Sequence, residues 1–172
     1  MDARLTTLLF SFILLILIRE QYTYAIDGKE RDKVKNDWMD PDHVLTRSTG
    51  QKDQGADASV GALYNEIYAP FAKWSHVPEQ LVAYEVDDGW EMIGLAMLYW
   101  TLAVPGKQES GGKVKDNEGN EWDGVTPASF VFGYKKVDGG IRLKKTEITA
   151  DPTAAVVGML KRGMMKPEDL MK

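Results

Sequence analysis

The stretch that decides the fold is WSHVPEQLVAYEVDDGWEMIGLAMLYWTLAV, residues 74–104. Two apolar segments flank Asp87-Asp88-Gly89, and an Asp-Gly turn between such segments predicts a β-hairpin. The second segment, residues 92–104, is apolar on both of its alternating faces. We therefore expect it to be covered on both sides, by a helix and by the wall of a pocket. His76 lies just before the hairpin and is the candidate acid/base group of this stretch.

The composition is that of one domain with a hydrophobic core. The chain has 172 residues, of which 44% are hydrophobic. A net charge of -5 argues against nucleic-acid binding, because phosphate contacts need clustered Lys and Arg. The absence of cysteine excludes disulfides, iron–sulfur clusters, thiolate zinc sites and a Cys nucleophile. With only His43 and His76 available, we expect no metal site, and the sequence shows no cofactor motif.

The N-terminal segment allows two interpretations. Residues 5–18 carry no charge and lie between Arg4 and Arg19. This apolar run is short for a membrane span but matches the core of a secretory signal, with a cleavage site after Ala25. Alternatively, residues 5–25 form a helix that packs against the sheet. The first interpretation predicts a secreted or membrane-tethered protein, and membrane contact is expected only through this segment.

The residues before the central hairpin predict three helices and a short strand. The first helix ends at Asp27-Gly28, and residues 29–38 form a short charged helix. Residues 43–46 form the strand, and the polar residues 47–55 form a loop. A third helix follows, with helical spacing between Val60, Leu63, Tyr64 and Ile67.

The residues after the central hairpin predict a second hairpin and a closing helix. Residues 105–126 are rich in Gly and charged residues, so we expect a long flexible turn at the rim of the pocket. Residues 128–137 and 141–149 flank Asp138-Gly139-Gly140 as a second hairpin. Asp151-Pro152 begins the closing helix.

This order of elements predicts an α+β fold. Helices that precede an antiparallel sheet are typical of that class. A twisted, strongly curved sheet would be apolar on its concave side. The N-terminal helices would close that side into a cone around a pocket.

Several short motifs follow one another along the chain: YTYAIDGKERD at 22–32, MDPDHV at 39–44, SH at 75–76, VDDG at 86–89, FGYKKVDGGIRL at 132–143 and ITADP at 148–152. In this order and spacing they resemble SnoaL-like proteins of the nuclear transport factor two-like superfamily, in versions common in filamentous fungi. The resemblance covers about residues 18–163, which overlap the end of the apolar segment 1–25 and precede a polar tail at 164–172.

The resemblance implies a cone-shaped α+β barrel with an apolar pocket, which often dimerises through its sheet. Members of the family include polyketide cyclases, dehydratases, ketosteroid isomerases, terpenoid-modifying isomerases and ligand binders without catalytic activity. The fold alone therefore does not determine the function.

Three residues are candidates for catalysis. The resemblance places His76 where scytalone dehydratase carries a catalytic histidine; the alternative is a histidine at the start of a strand that bonds to the backbone. Tyr24 stands at about the position of that enzyme's catalytic aspartate, and a pocket tyrosine can donate a hydrogen bond to a developing enolate. Glu147 shares a strand face with Ile141 and Leu143, which predicts a pocket carboxylate. Ala96-Met97-Leu98 stand where scytalone dehydratase places a second histidine.

Large apolar side chains are candidates for ligand binding, and the alternative for most of them is a role in the core. They are Trp74, Met97, Trp100, Phe130 and Phe132. Trp122 is the exception, because an aromatic residue in a flexible rim can act as a lid.

Two hypotheses for function follow. The first is a cofactor-independent isomerase, cyclase or dehydratase that acts by proton transfer on an apolar polyketide- or terpenoid-like metabolite. His76 would be the acid/base, with Tyr24 or Glu147 as its partner. The alternative is a non-catalytic module of the same fold that binds an apolar ligand or dimerises. Under the signal-peptide interpretation of the N-terminal segment, this module would be secreted. Both predict a small apolar organic molecule and a homodimer through the sheet as partners.

Overall fold

A single large sheet forms the centre of the fold, in a computed structural model that describes residues 3–106 and 113–171, with side chains described from Leu15 onward. The strands are β1 (Met39–Thr46), β2 (Lys52–Gln54), β3 (Phe71–Val86), β4 (Gly89–Leu102), β5 (Val114–Lys115), β6 (Glu121–Trp122), β7 (Gly124–Val137) and β8 (Gly140–Ala150). The six-stranded sheet has the order β2-β1-β8-β7-β4-β3, and β5 and β6 form a separate hairpin. The β1–β8 pair is parallel and the other neighbours are antiparallel.

The helices lie at both ends of the chain and between β2 and β3. They are α1 (Ala3–Asp27), α2 (Arg31–Lys33), α3 (Ala56–Ala62) and α4 (Thr153–Lys161). A π-helical turn continues α2 over Val34–Trp38, another continues α3 over Leu63–Ile67, and a 3-10 turn spans Pro167–Met171. Within the described residues, no helix combines the length and the apolarity that a membrane crossing needs.

Both predicted hairpins are confirmed, and irregularities in them curve the sheet. Val86 pairs with Gly89 at the first turn, and Val137 pairs with Gly140 at the second. The register shifts between Pro78 and Gln80 in β3. In β8, Gly133 faces Lys145 while Tyr134 faces Leu143, so Lys144 is an extra residue that forms a β-bulge. Bulges bend and twist the strand that carries them.

The core lies on the concave side of the sheet, under α1. Helical spacing places Leu15, Tyr22, Ala25 and Ile26 on the buried face of α1. The ring of Tyr22 meets that of Phe132 edge to face at 5.7 Å. The predicted α+β class is confirmed, and the described sheet is a strongly curved open sheet with edges at β2 and β3 rather than a closed barrel.

The two faces of β4 are covered unequally, which corrects the expectation that both are buried. The face toward α1 is buried at Met92, Ala96 and Trp100. On the outer face, Ile93 and Leu95 are 44% and 45% exposed. An apolar sequence therefore marks this strand face although no described element of the chain covers it at Ile93 and Leu95.

The predicted flexible turn at 105–126 contains an ordered hairpin, and its residues 107–112 lie outside the described residues. The Asp116 carboxylate accepts hydrogen bonds from the backbone N–H groups of Glu118 and Asn120 and from the indole N–H of Trp122. Trp122 is buried against Tyr99 on the outer face of the sheet. The polar residues of this segment therefore organise a turn instead of leaving it without structure.

Candidate active site

A cavity of about 440 Å³ lies between α1 and the concave face of the sheet. Its size suits a small organic ligand. The residues that line it are mostly apolar, with polar groups from α1, β3 and β8. They include Arg19, Tyr22, Thr23, Ile26, Leu63, Tyr68, Phe71, His76, Ala96, Leu98, Thr126, Phe130, Phe132, Thr146 and Ile148.

A carboxylate–imidazole pair stands at one end of this cavity. The Nδ1 atom of His76 is 2.6 Å from Oδ1 of Asp27, and the backbone N–H of His76 donates to Oδ2 at 2.9 Å. Because an ionised carboxylate only accepts hydrogen bonds, Nδ1 carries a proton, and in the neutral ring the lone pair then lies on Nε2. Asp27 therefore fixes both the tautomer and the orientation of the ring.

Tyr68 meets the other nitrogen of the imidazole. Its hydroxyl lies 3.0 Å from Nε2 of His76 and donates to the lone pair. Burial raises the pKa of Tyr68 well above its usual value, so the phenol stays protonated. The indole of Trp74 stacks on the ring of Tyr68 at 4.8 Å and holds it in place. Asp27, His76 and Tyr68 thus form a hydrogen-bonded series with the basic nitrogen in the middle.

Asp27 lies at the C-terminal end of α1, where the helix dipole is unfavourable for a negative charge. A carboxylate in the last turn of a helix faces the negative end of the helix dipole. The two hydrogen bonds from His76 compensate for this. Lys29, which has a positive φ of 59°, ends the helix and donates from Nζ to the carbonyl of Ala72 at 2.7 Å. This contact clamps the end of α1 to β3, four residues before His76.

A second polar series lies beneath the cavity. The ring of the fully buried His43 contacts Ser59 Oγ at 2.8 Å and Thr146 Oγ1 at 3.0 Å. Because Thr146 lines the cavity, this network fixes its hydroxyl group there.

Acid is expected to destabilise the protein through His43. Burial lowers the pKa of His43 from 6.5 to about 4. Between these values the unfolded chain binds a proton that the folded chain does not, so the free energy of unfolding decreases as the pH falls from 6.5 to 4. The decrease due to this residue is about 3 kcal/mol, and it levels off at lower pH. Urea unfolding at several pH values measures it.

The control for this expectation is His43→Gln, which keeps polar atoms at the site but does not titrate. The difference in unfolding free energy between wild type and variant should shrink as the pH falls from 6.5 to 4. Comparing the two proteins removes the contribution of the carboxyl groups that they share. A difference that stays constant over this pH range would contradict the assignment.

The predicted site residues that line the cavity are His76, Phe130 and Phe132. Phe130 lies across the bare backbone of Gly94, where an added Cβ would be 2.3 Å from its ring. Two predicted ligand-binding residues lie behind the wall instead. Trp74 stacks on the ring of Tyr68. Trp100 is buried, and its indole N–H donates a hydrogen bond to Oγ1 of Thr126.

Met97 and Trp122, which are predicted to bind the ligand, do not line this cavity. Met97 lines a shallow groove on the outer face of the sheet, because its neighbours Ala96 and Leu98 occupy the cavity side. Trp122 is buried on the same outer side, over Tyr99, and is not a lid on the cavity.

Tyr24 and Glu147, the two predicted partners of His76, do not line the cavity. Tyr24 is 59% exposed and donates a hydrogen bond to Glu20, whereas Tyr22 faces the cavity. Glu147 forms an ion pair with Lys145 on the outer side. The bulge at Lys144 is the reason: it reverses the alternation, so that Thr146 and Ile148 point into the cavity after it.

Asp27 and Tyr68 are the functional candidates that sequence reasoning missed. Asp27 lies three residues beyond Tyr24, in the same motif. Helical spacing places it in line with Arg19 and Thr23, which line the cavity, and this spacing was the available signal. Tyr68 lies in the turn before β3, and no local pattern distinguishes it. Among the described residues, no group of three or more His, Asp or Glu side chains is arranged to hold a metal ion.

Solved structures that resemble the chain share its architecture at low sequence identity. A candidate scytalone dehydratase from Novosphingobium aromaticivorans is 16% identical, with a TM-score of 0.66 over 85% of this chain and 87% of that chain. A hexachlorocyclohexane dehydrochlorinase, LinA-type3 from Novosphingobium barchaimii, is 15% identical, with a TM-score of 0.64 over 83% and 88%. A nuclear transport factor 2-like superfamily protein from Salmonella enterica is 10% identical, with a TM-score of 0.63 over 81% and 90%.

These similarities establish the fold of the chain. No protein-family model matches the sequence, and neither does any curated protein. The chain has the nuclear transport factor 2-like fold, as the order of its sequence motifs predicted. At these identities the fold does not carry the activity with it.

Proposed function

We propose that this protein is a cofactor-independent lyase that removes a proton from carbon and expels a small leaving group from an organic molecule. The observation that carries the proposal is the Asp27–His76 pair at 2.6 Å, with Nε2 and the hydroxyl of Tyr68 at the wall of a mostly apolar cavity. Two proteins of similar fold are described as a dehydrochlorinase and a candidate dehydratase, and both names denote eliminations.

The geometry supports a β-elimination in which His76 accepts the substrate proton and His76 with Tyr68 returns it to a hydroxyl leaving group. The Tyr68 hydroxyl first turns from Nε2 of His76 to the leaving group. Nε2 then takes a proton from the substrate carbon, and the electrons of that C–H bond form a C=C bond. The bond from the neighbouring carbon to the leaving group breaks. A departing hydroxyl takes the proton back from the imidazolium through Tyr68 and leaves as water; a halide leaves as the ion. Asp27 stabilises the imidazolium that forms between these steps.

The cavity favours this chemistry in two ways. Its apolar walls, which include Phe130, Phe132 and Ile148, exclude water and strengthen the Asp27–His76 interaction. They also hold a flexible substrate in one reactive conformation, which lowers the entropic part of the activation barrier. A polyketide- or terpenoid-like carbon skeleton would fill such a cavity. Isomerisation or cyclisation would begin with the same proton transfer and end without loss of a leaving group.

The proposal is tested with a panel of β-hydroxy ketones and polychlorinated cyclohexanes in D₂O. Mass spectrometry follows both loss of water or HCl and uptake of deuterium at carbon. We expect one class of compound to be consumed by wild type and only bound by His76→Gln. Tyr68→Phe should slow loss of water more than loss of chloride, because chloride needs no proton.

Tyr24→Phe is the matched control, since it removes an exposed tyrosine hydroxyl outside the cavity. It should leave turnover unchanged. A compound that binds to wild type and to His76→Gln and is altered by neither would identify a ligand carrier. The lyase proposal would then be withdrawn. Deuterium uptake without loss of a group would instead identify an isomerase.

We also propose that two copies of the chain pair through the outer face of the sheet. Val82, Ile93 and Leu95 form an exposed apolar cluster there, with exposed fractions of 64%, 44% and 45%. Val82 and Ile93 are direct cross-strand partners, and Ile93 is next to Val131 on β7. A continuous apolar patch of this kind on a sheet is typical of an interface.

Replacing Ile93 with glutamate is expected to convert the dimer into a monomer, because a buried unpaired carboxylate would be placed at the centre of the interface. Light scattering after size-exclusion chromatography gives the mass of both proteins. Val157→Glu, on α4 with the same 44% exposure, is the matched control and should remain dimeric. A monomeric wild type, or an Ile93→Glu variant of unchanged mass, would refute the interface.

A further inference from the structure

Arg19 is a buried cation that has no counter-charge among the residues whose side chains are described. It lies on α1, lines the cavity and is 8% exposed. Among the described residues, no carboxylate forms an ion pair with it, and its buried Nε has no hydrogen-bond partner. Burying an unpaired charge is costly, and proteins rarely retain one without a partner or a ligand.

The carboxylates around the cavity are already engaged. Glu66 is bound by Arg47, which also pairs with Asp53 at 2.7 Å. Asp27 is held by the ring and the backbone of His76. The two arginines of the cavity wall therefore differ: Arg47 is neutralised by two acids, whereas Arg19 is not neutralised by any described residue.

A second unsatisfied donor lies near Arg19. The hydroxyl of Tyr134 is buried without a hydrogen-bond partner. The charge of Arg19 acts on this phenol and opposes the increase in its pKa that burial causes. Tyr134 lies outside the lining of the cavity, whereas Arg19 is part of it. A buried donor without an acceptor at the cavity wall indicates a missing acceptor, and the charge of Arg19 requires that acceptor to be an anion.

We propose that the molecule bound in this cavity is an organic acid, with an apolar body and a carboxylate that pairs with Arg19. The planar guanidinium presents a fork of N–H groups that matches the two oxygens of a carboxylate. The apolar body would lie on Phe130 and Phe132. This inference deepens the proposed lyase function, on which its statement about the reacting carbon rests.

The position of Arg19 on α1 sets the length of the substrate. Arg19 precedes Asp27 by eight residues, which is about 12 Å along the helix axis. The Asp27–His76 pair and the guanidinium therefore address different ends of one ligand. The carboxylate would anchor the substrate while a carbon several bonds away meets Nε2 of His76.

The test compares carboxylates with their uncharged amides, using benzoate and benzamide, 2-naphthoate and 2-naphthamide, and octanoate and octanamide. Calorimetric titration gives the affinity of each compound for the full-length protein. We expect at least one carboxylate to bind wild type about tenfold or more tightly than its amide, the preference of a buried charge-assisted pair. Arg19→Met should abolish that preference and leave amide binding unchanged, and Arg19→Lys should restore part of it.

Two results of the titration would overturn the inference. One is the absence of a carboxylate preference in every pair, including the absence of binding. The other is an Arg19→Met variant that weakens acid and amide equally. The melting temperature of Arg19→Met should equal or exceed that of wild type, because the substitution removes an unpaired buried charge. A marked decrease would show that Arg19 has a structural partner and would also overturn the inference.

The same titration separates this inference from the lyase proposal. His76→Gln and Asp27→Asn should bind the preferred carboxylate as wild type does, because neither residue contacts the acid group. If no compound is ever turned over but the carboxylate preference depends on Arg19, the lyase proposal fails and the ligand assignment stands. If elimination is found without any carboxylate preference, the ligand assignment fails and the lyase proposal stands.

Discussion

Replacing Asp27 with asparagine is expected to reduce turnover by about 10³–10⁴-fold, or about 4–5.5 kcal/mol in transition-state stabilisation. The carboxylate accepts a hydrogen bond from Nδ1–H of His76, which leaves the lone pair on Nε2, where it acts as the base once the Tyr68 hydroxyl turns to the substrate. The amide of asparagine can present its NH₂ group to Nδ1, which favours the opposite tautomer with a hydrogen on Nε2. The variant would keep the shape of the site and lose its base. Turnover of the compound found in the D₂O screen measures the effect.

Asp57→Asn is the matched control for this variant. Asp57 is an aspartate whose side chain is 90% exposed and pairs with Lys35, away from the cavity. Its amide variant should retain wild-type turnover. Circular dichroism should show the same fold for both variants. An Asp27→Asn enzyme with more than a tenth of wild-type turnover would mean that His76 does not depend on Asp27, and the assigned mechanism would be wrong.

Removal of residues 1–25 is expected to abolish cooperative folding. The deletion takes away the buried side chains of Leu15 and Tyr22 and the cavity wall at Arg19. Burial of each large apolar side chain contributes about 1.5–3 kcal/mol, and the deletion also exposes the part of the sheet that α1 covers. A domain of ordinary stability, about 5–15 kcal/mol, has little left after such a loss. Thermal unfolding of the 26–172 fragment beside the full chain tests this.

The deletion also decides between the two interpretations of the N-terminal segment. Cleavage after Ala25 in a functional protein requires that residues 26–172 fold without α1. A cooperative transition in the fragment near the wild-type melting temperature would support the signal-peptide interpretation and contradict the expectation above. Leu17→Ala in the full chain is the control, because this side chain is half exposed on α1 and should affect stability little.

Local patterns predicted the fold well because they report on short-range geometry. The Asp-Gly turn after Val86 and the Asp-Gly-Gly turn after Val137 identified both hairpins. The alternation in β7 placed Phe130 and Phe132 together on the cavity side. These signals depend on neighbours two to four residues apart, which the sequence displays directly.

The candidate site was predicted only in part, because long-range packing and one irregularity determine the rest. His76 was found from its place before the hairpin, but its partner Asp27 comes from a helix 49 residues away. Glu147 was misplaced because an alternating pattern assumes an uninterrupted strand, and β8 is interrupted at Lys144. Trp122 was misplaced because composition does not show that Asp116 organises the turn before it.

The extra residue at Lys144 determines which side chains in the second half of β8 point into the cavity. Before it, Leu143 points inward; after it, Thr146 and Ile148 do. If the bulge were lost with Lys144 retained, so that Lys144 took its own place in a regular strand, every later side chain would change sides, and Lys145 and Glu147 would point into the cavity. Substitutions in this half of β8 can therefore adjust the cavity one side chain at a time, while loss of the bulge would exchange all the side chains that this half contributes to the wall.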